Sequence, residues 1–223
     1  RDHGDTHHLN EGLFHSCRID EVVGAVRAIA HTYTPRKLLI AGFSLGGNFA
    51  LRVALRAPEA GIDLAYAFAV CPPIDPAASL TQIEIAPWMY ERYFIAKWAE
   101  SLRRKQTLFP HLYDFSSWLR KPTLRDLTAR MVETYTEYGR VEAYLDGYSI
   151  IGNRLAAMSV PATIVTAHDD PVIPIGDYHS LQLPASTEVI LAEHGGHCGF
   201  IEDWRLKSWI EDLLVSRLSD ATS

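Results

Sequence analysis

Leu38-Leu39-Ile40-Ala41-Gly42-Phe43-Ser44-Leu45-Gly46-Gly47-Asn48-Phe49-Ala50 is the stretch that decides the fold. Its first four residues are a short apolar run suited to a buried strand. Leu45, Phe49, Ala50, Val53 and Ala54 then recur at helical spacing until Ala57-Pro58 ends the run. Between them, Gly42-Phe43-Ser44-Leu45-Gly46 has the form of a nucleophile elbow, a sharp strand-to-helix turn that presents a serine hydroxyl. A serine held in such strained backbone angles leaves little room beside it, so small residues are expected at Gly42 and Gly46. The helix that follows points free N–H groups, and the positive end of its dipole, at any negative charge developing beside Ser44. Nucleophile and anion stabiliser thus come from one motif.

Working outward, residues 20–33 put Val22, Val26, Ile29 and Tyr33 on one helical face, with Asp20 and Glu21 at its positive end. Residues 64–70 read as a second buried strand, halted by Cys71-Pro72-Pro73. From Pro76 to about Ser159 strand character gives way to long helical stretches rich in tryptophan and tyrosine, read as a helical insertion whose aromatics are mostly core. Asp75 at its start is read as a helix cap, and Arg103-Arg104-Lys105 as a solvated helix end rather than an anion site. Strand character returns at 162–167 and 188–192, with a helix expected at 175–183. Residues 203–218 set Leu206, Ile210, Leu213 and Leu214 on one face of a closing helix. Strands alternating with helices imply an α/β fold with a doubly wound, mainly parallel sheet. The chain accordingly divides into a core part at 1–75, an all-helical cap insertion at 76–159 and a second core part at 160–223.

The 223 residues, 48% hydrophobic and 22% charged, suffice for one sizeable core. A net charge of -6 without long runs of one sign argues against nucleic-acid binding and for a small ligand that is not polyanionic. Cys17, Cys71 and Cys198 are odd in number and unpaired in spacing, which suggests neither a disulfide framework nor a zinc ribbon and fits a reducing, cytoplasmic setting. No apolar stretch approaches the ~20 residues needed to span a bilayer. His7 and His8 are adjacent, so both cannot face one ion from a regular element. With His3 and His15 they are read as a polar loop at the site's rim, not as a metal site.

A serine hydroxyl becomes a useful nucleophile when a histidine takes its proton, and that histidine needs an acid to hold its tautomer. His168-Asp169-Asp170-Pro171-Val172-Ile173-Pro174 follows one expected strand, and His194-Gly195-Gly196-His197-Cys198-Gly199-Phe200 follows the next. At the carboxyl edge of a parallel sheet both loops reach a shared site. His168 and His194 are read as supporting or structural, and Cys198 as a small packed residue.

These segments resemble the α/β-hydrolase superfamily, in particular its YheT-type bacterial branch, in the order serine, acid, histidine. Residues 1–4, Arg-Asp-His-Gly, resemble the superfamily's Arg-Gly-x-Gly loop, with Asp2 in place of glycine. The resemblance implies a serine hydrolase with a helical cap that cleaves a carboxylic ester through an acyl-serine. Its catalytic residues would be Ser44, Asp170 and His197, with the Leu45 N–H in the oxyanion hole and no cofactor or metal. In the superfamily the acid precedes an apolar pair and a proline four positions on. Asp170 meets this with Pro174, whereas Asp169 is out of phase and is left to loop capping or a surface ion pair. The second oxyanion donor would follow an earlier strand, so the N-terminal strands are expected from an upstream segment or a second chain that completes the sheet. The substrate class implied is a small-molecule acyl ester. The alternatives are an acyltransferase to an alcohol acceptor and a non-catalytic ligand-binding relative.

Overall fold

The computed structural model describes residues 1–222. Its sheet consists of β1 (Leu38–Phe43), β2 (Leu64–Val70), β3 (Ala162–Ala167) and β4 (Thr187–Ala192), paired in that order and parallel throughout. Parallel strands need crossovers that cover the sheet, and the alternation along the central strands shows both faces covered. Ala67, Ala69 and Ile164 join Leu51, Val53 and Ala54 of α2 (Leu45–Arg56) in one core. Phe68, Val70, Val165 and Ala167 point the other way and pack with Ile210, Leu213 and Leu214 of the last helix, α7 (Trp209–Thr222). The α/β, doubly covered parallel sheet expected from the sequence is the one found.

Several local expectations shift. In α1 (Ile19–Tyr33) Val22, Val23 and Val26 pack on the core, but Ile29 and Tyr33 are exposed, because α1 packs mainly on α2 and only its first turns are covered. The helix expected at 175–183 is a short 3-10 segment, Ile175–Ser180, after which the backbone turns extended at Leu181. There Gln182 N donates to Gly152 O at 2.8 Å, a cross-chain bond that a continuing helix would forgo. The closing helix begins at Trp209, not 203. Residues 201–208 instead close as a tight turn: Glu202 N donates to Lys207 O at 2.8 Å, Ile201 and Ser208 form an antiparallel bridge, and Asp203 Oδ1 accepts from Arg205 N at 2.8 Å inside the turn. Leu206 is therefore exposed at φ 62° instead of lying on the buried face.

Between β2 and β3 lie α3 (Pro76–Ile85), α4 (Trp88–Leu108), α5 (Leu124–Tyr135) and α6 (Val141–Gly147). Asp75 caps α3 by accepting from Ala77 N at 2.9 Å, and Thr123 and Asp126 form a capping box on α5. The helices carry their own core of Leu102, Phe115, Leu127, Met131 and Tyr144. The last helix of this region ends at Gly147, and residues 148–161 are turns and irregular chain. Trp88 and Tyr93 are exposed rather than core.

Lys105 departs from the solvated helix end. It is buried beside the equally buried Asp2, with Nζ 2.9 Å from Asp2 Oδ1, and it donates to the carbonyls of His7 and Asn10. Its neighbour Arg104 does meet solvent, paired with Asp5. Among the described residues no helix is long and apolar enough to cross a membrane.

Candidate active site

All four parallel strands end on the same edge, and the turns after β1, β3 and β4 bring Ser44, Asp170 and His197 together there. Ser44 follows β1, with its N–H donating to Val70 O at 2.7 Å and its backbone at φ 50°, ψ -124°. That conformation costs a non-glycine residue about 1–3 kcal/mol and persists only where the surroundings enforce it. Here enforcement comes from Gly42: a Cβ at that position would stand 2.1 Å from Gly46 O, so only glycine lets β1 and α2 approach this closely. Gly46, expected to be small for the same reason, has open space around a built Cβ. The tight residue on the helix side is Gly47, whose Cβ would meet Gly42 O at 3.1 Å and Pro72 Cβ at 3.3 Å.

The loop after β3 delivers Asp170, fully buried in its side chain, whose Oδ1 accepts from Val172 N and Ile173 N at 2.8 and 3.0 Å. The loop after β4 delivers His197. Its Nδ1 lies 3.0 Å from Asp170 Oδ2, and its Nε2 lies 2.9 Å from Ser44 Oγ. Because an ionised carboxylate only accepts, Nδ1 carries the proton toward Asp170, and Nε2 in the neutral ring faces the serine hydroxyl. Asp169 points elsewhere: its Oδ1 accepts from Gly195 N and Gly196 N, each at 2.8 Å, and its other oxygen pairs with the exposed His194. It braces the loop that carries His197. Those backbone bonds, Gly196 first, hold its carboxyl below the usual range against slight burial.

Burial acts to lower the pKa of the His197 ring, but the bond to Asp170 and the contact with Cys198 outweigh it and push the ring up to about 9. Cys198 moves the opposite way, to about 6, as the hydrogen bond with Cys71 outweighs burial and His197 adds to it. In Cys71 the same hydrogen bond and burial both push the thiol up.

Ser44 opens onto a cavity of about 480 Å³ whose wall is mostly apolar, with Ile83, Phe94, Trp98, Leu124, Met131 and Tyr148 from the region between β2 and β3. Leu45 is the first residue of α2, so its N–H has no intrahelical acceptor. Asp2, His3 and Phe14 also line the cavity, so the opening segment reaches its wall. Of the histidines read as a rim loop, His3 and His15 line the cavity, the His15 ring edge-on to Tyr144, and His7 Nε2 sits 2.8 Å from Ser101 Oγ on its wall.

Asn48, quoted in the motif but given no role by the sequence, is fully buried, and its amide donates to Pro73 O and Tyr148 O. These carbonyls flank the four-helix region, so Asn48 ties both of its ends to the elbow helix. A polar residue among the apolar positions of the helix after the elbow was the signal available for it.

The model of the alpha/beta hydrolase family matches residues 1–206. The curated protein "Putative esterase YheT" of Escherichia coli (strain K12) is 28% identical over 224 residues, 93% of this chain and 61% of that protein. Human "Protein ABHD15" is 28% identical over 139 residues, 58% of this chain and 28% of its own length. The chain therefore spans less than two thirds of either relative. Among solved structures, a "Putative hydrolase" from Agrobacterium vitis S4 superposes with a TM-score of 0.51 at 15% identity, covering 92% of this chain and 69% of that one. With its family model matched from the first residue to the start of the last helix, on a parallel sheet whose elbow holds Ser44, this chain belongs to the alpha/beta hydrolase family.

Proposed function

We propose that this hydrolase cleaves carboxylic esters through an acyl-serine, with Ser44 as nucleophile, His197 as general base and then acid, and Asp170 as the carboxylate that orients His197. One observation carries the reading: the unbroken relay from Ser44 Oγ through His197 to Asp170, with separations of 2.9 and 3.0 Å. Ser44 Oγ attacks the ester carbonyl carbon as its proton passes to His197 Nε2. The tetrahedral oxyanion is met by the Leu45 N–H at the positive end of α2. Collapse expels the alcohol, which leaves with the proton held by His197. Water then attacks the acyl-serine, giving a proton to His197, and collapse of the second tetrahedral intermediate returns that proton from His197 to Ser44 Oγ as the carboxylic acid departs.

Residues 76–159 act in this reading as a cap over Ser44. Support comes from the cavity: residues of α3, α4, α5 and α6 line it together with Ser44, and their apolar side chains suit an acyl chain. A small-molecule acyl ester, with no cofactor, meets these requirements. The test is a fluorophosphonate probe together with p-nitrophenyl esters of graded chain length. Ser44→Ala should lose both labelling and turnover while keeping its thermal melt. Labelling at another residue, or ester turnover that survives Ser44→Ala, defeats the proposal. Acyl transfer to added alcohols that far outruns hydrolysis would reassign the enzyme as an acyltransferase.

A further inference from the structure

Two thiols stand against His197, and the hydrolytic mechanism uses neither. Cys71 follows the last residue of β2, and Cys198 follows His197 on the loop after β4. Their sulfurs and a ring nitrogen of His197 all lie within 4.8 Å of one another, the one cluster of three metal-capable side chains found among the described residues. Cys71 is buried while His197 and Cys198 are partly exposed, so the cluster is reachable from one side. The thiols hydrogen-bond each other, and they reach backbone carbonyls only at long range, Cys71 Sγ to Gly196 O at 3.9 Å and Cys198 Sγ to Val70 O at 3.8 Å. Both cysteines hold left-handed backbone conformations, φ 44° and 68°. Each such residue costs about 1–3 kcal/mol when it is not glycine, and such strain gathers at functional sites. Filling an apolar gap would require neither sulfur nor strain.

We propose that Cys71, Cys198 and His197 form a site for a soft divalent cation of the zinc class, and that its occupation shuts the hydrolase off by taking the ring of His197. The second half of the statement rests on the reading of His197 as the base. Two thiolates and an imidazole are the donors such cations select over hard ions, which prefer oxygen. Metal–ligand bonds of about 2.0–2.3 Å place tetrahedral donors roughly 3.3–3.8 Å apart, so closure needs the cluster to contract by at most about 1–1.5 Å. The surroundings also match the charge: Phe68, Val70, Ala167 and Phe200 pack around the thiols. An isolated thiolate pair is costly in such a place, whereas a dication with two thiolates is neutral. Binding needs both sulfurs as thiolates and the ring neutral, so whatever protons these three groups carry are released to solvent, and the fourth position is left for water. Once the ring is a ligand it no longer serves both Ser44 and Asp170, and proton transfer stops.

The test titrates the reduced full chain with Co²⁺ alone. We expect one equivalent to develop a sulfur-to-cobalt charge-transfer band and the strong visible bands of a tetrahedral ion. Ser44→Ala should keep these bands, and Cys71→Ala or Cys198→Ala should each abolish the tetrahedral thiolate signature. In parallel, Zn²⁺ should inhibit p-nitrophenyl butyrate hydrolysis reversibly, with a chelator restoring it, and Cys71→Ala should raise the inhibitory concentration by at least about tenfold. A wild-type chain without the thiolate band overturns the site, as do bands that survive both cysteine variants or inhibition unchanged in Cys71→Ala. Circular dichroism melts check folding, and Cys198→Ser carries the test should Cys71→Ala not fold. The cobalt measurement needs no turnover. A chain that binds Co²⁺ through both thiols yet hydrolyses nothing sinks the esterase reading alone.

Discussion

Gly42→Ala should damage this protein far more than Gly46→Ala, although the two glycines flank Ser44 symmetrically in sequence. A Cβ on residue 42 would lie 2.1 Å from Gly46 O, 2.3 Å from Gly46 C and 2.6 Å from Gly47 N. These are backbone atoms of α2's first turn, which cannot swing aside as a side-chain tip can. Reaching ordinary contact requires β1 and α2 to part by more than an ångström at the turn that aims Ser44. Overpacking of this kind costs about 1–3 kcal/mol, and for a domain this size each kcal/mol lowers the melting temperature by roughly 2–4 °C. Misplacing a nucleophile by about 1 Å costs on the order of a hundredfold in rate, so kcat/KM should fall by about that factor. At Gly46 no atom stands within 4 Å, and exchanging a helical glycine for alanine gains up to about 1 kcal/mol. Its melting temperature should hold or rise, with kcat/KM inside about threefold, the equivalent of roughly 0.6 kcal/mol. Calorimetry and steady-state hydrolysis of a p-nitrophenyl ester on both variants decide it. Equal damage from the two substitutions, or a Gly42→Ala enzyme within threefold of wild type, would refute the steric argument.

Asp170→Asn should lower kcat by about ten-thousandfold through loss of the histidine tautomer, while Asp169→Ala, which only loosens the His197 loop, should cost much less; the reverse ranking would exchange the two roles. Since a protonated ring cannot accept the serine proton, kcat/KM should climb with pH through a pKa near 9, and Cys198→Ala should move that limb to lower pH; a limb near 6.5 in wild type would contradict the site's electrostatics. The sign for stability is opposite: with the folded value raised from 6.5, the interaction holding the charged ring is fully present below 6.5 and is lost as pH rises through about 9, which urea titrations at several pH values would show. Asp2→Ala leaves Lys105 buried without its carboxylate and should cost about 3–5 kcal/mol, whereas Asp5→Ala, on the exposed Arg104, should stay within about 0.5 kcal/mol; similar denaturant midpoints for the two would show that burial of the pair does not matter.

Much of this molecule was legible in one dimension. The strands at 64–70 and 162–167 coincide with β2 and β3, because a continuous apolar run with both faces covered is a local signal. The elbow was legible for the same reason: a strand, a glycine two residues before a serine, and a helix leave their mark within about a dozen residues. Where local rules compete, the sequence misled. Leu206 keeps helical phase with Ile210 and Leu213, yet residues 201–208 close as a turn tied by Glu202 N to Lys207 O, and Leu206 ends exposed. Periodicity reports which side of an element is apolar; it does not say how far along its length the neighbour reaches, as Ile29 and Tyr33 show.

Packing settled the meetings across long stretches of chain. Ser44 and His197 are 153 residues apart, and Lys105 and Asp2 are 103 apart. No pattern in residues 103–105 marks the last of three basic residues as buried, since the carboxylate and carbonyls that satisfy it come from the opposite end of the sequence. Nor does Cys71-Pro72 announce a partner in His197-Cys198, because the two are neighbours only once β2 and β3 pair and β4 sets the last loop beside them. The choice between Asp169 and Asp170 is of the same kind: adjacent residues on one turn point in different directions, and the closed sheet alone determines which carboxylate meets the imidazole and which meets the backbone of its loop. Local chemistry therefore specified the elements and the residues able to react. Their distances, burial and partners came from packing, where each group's environment is built by residues remote in sequence.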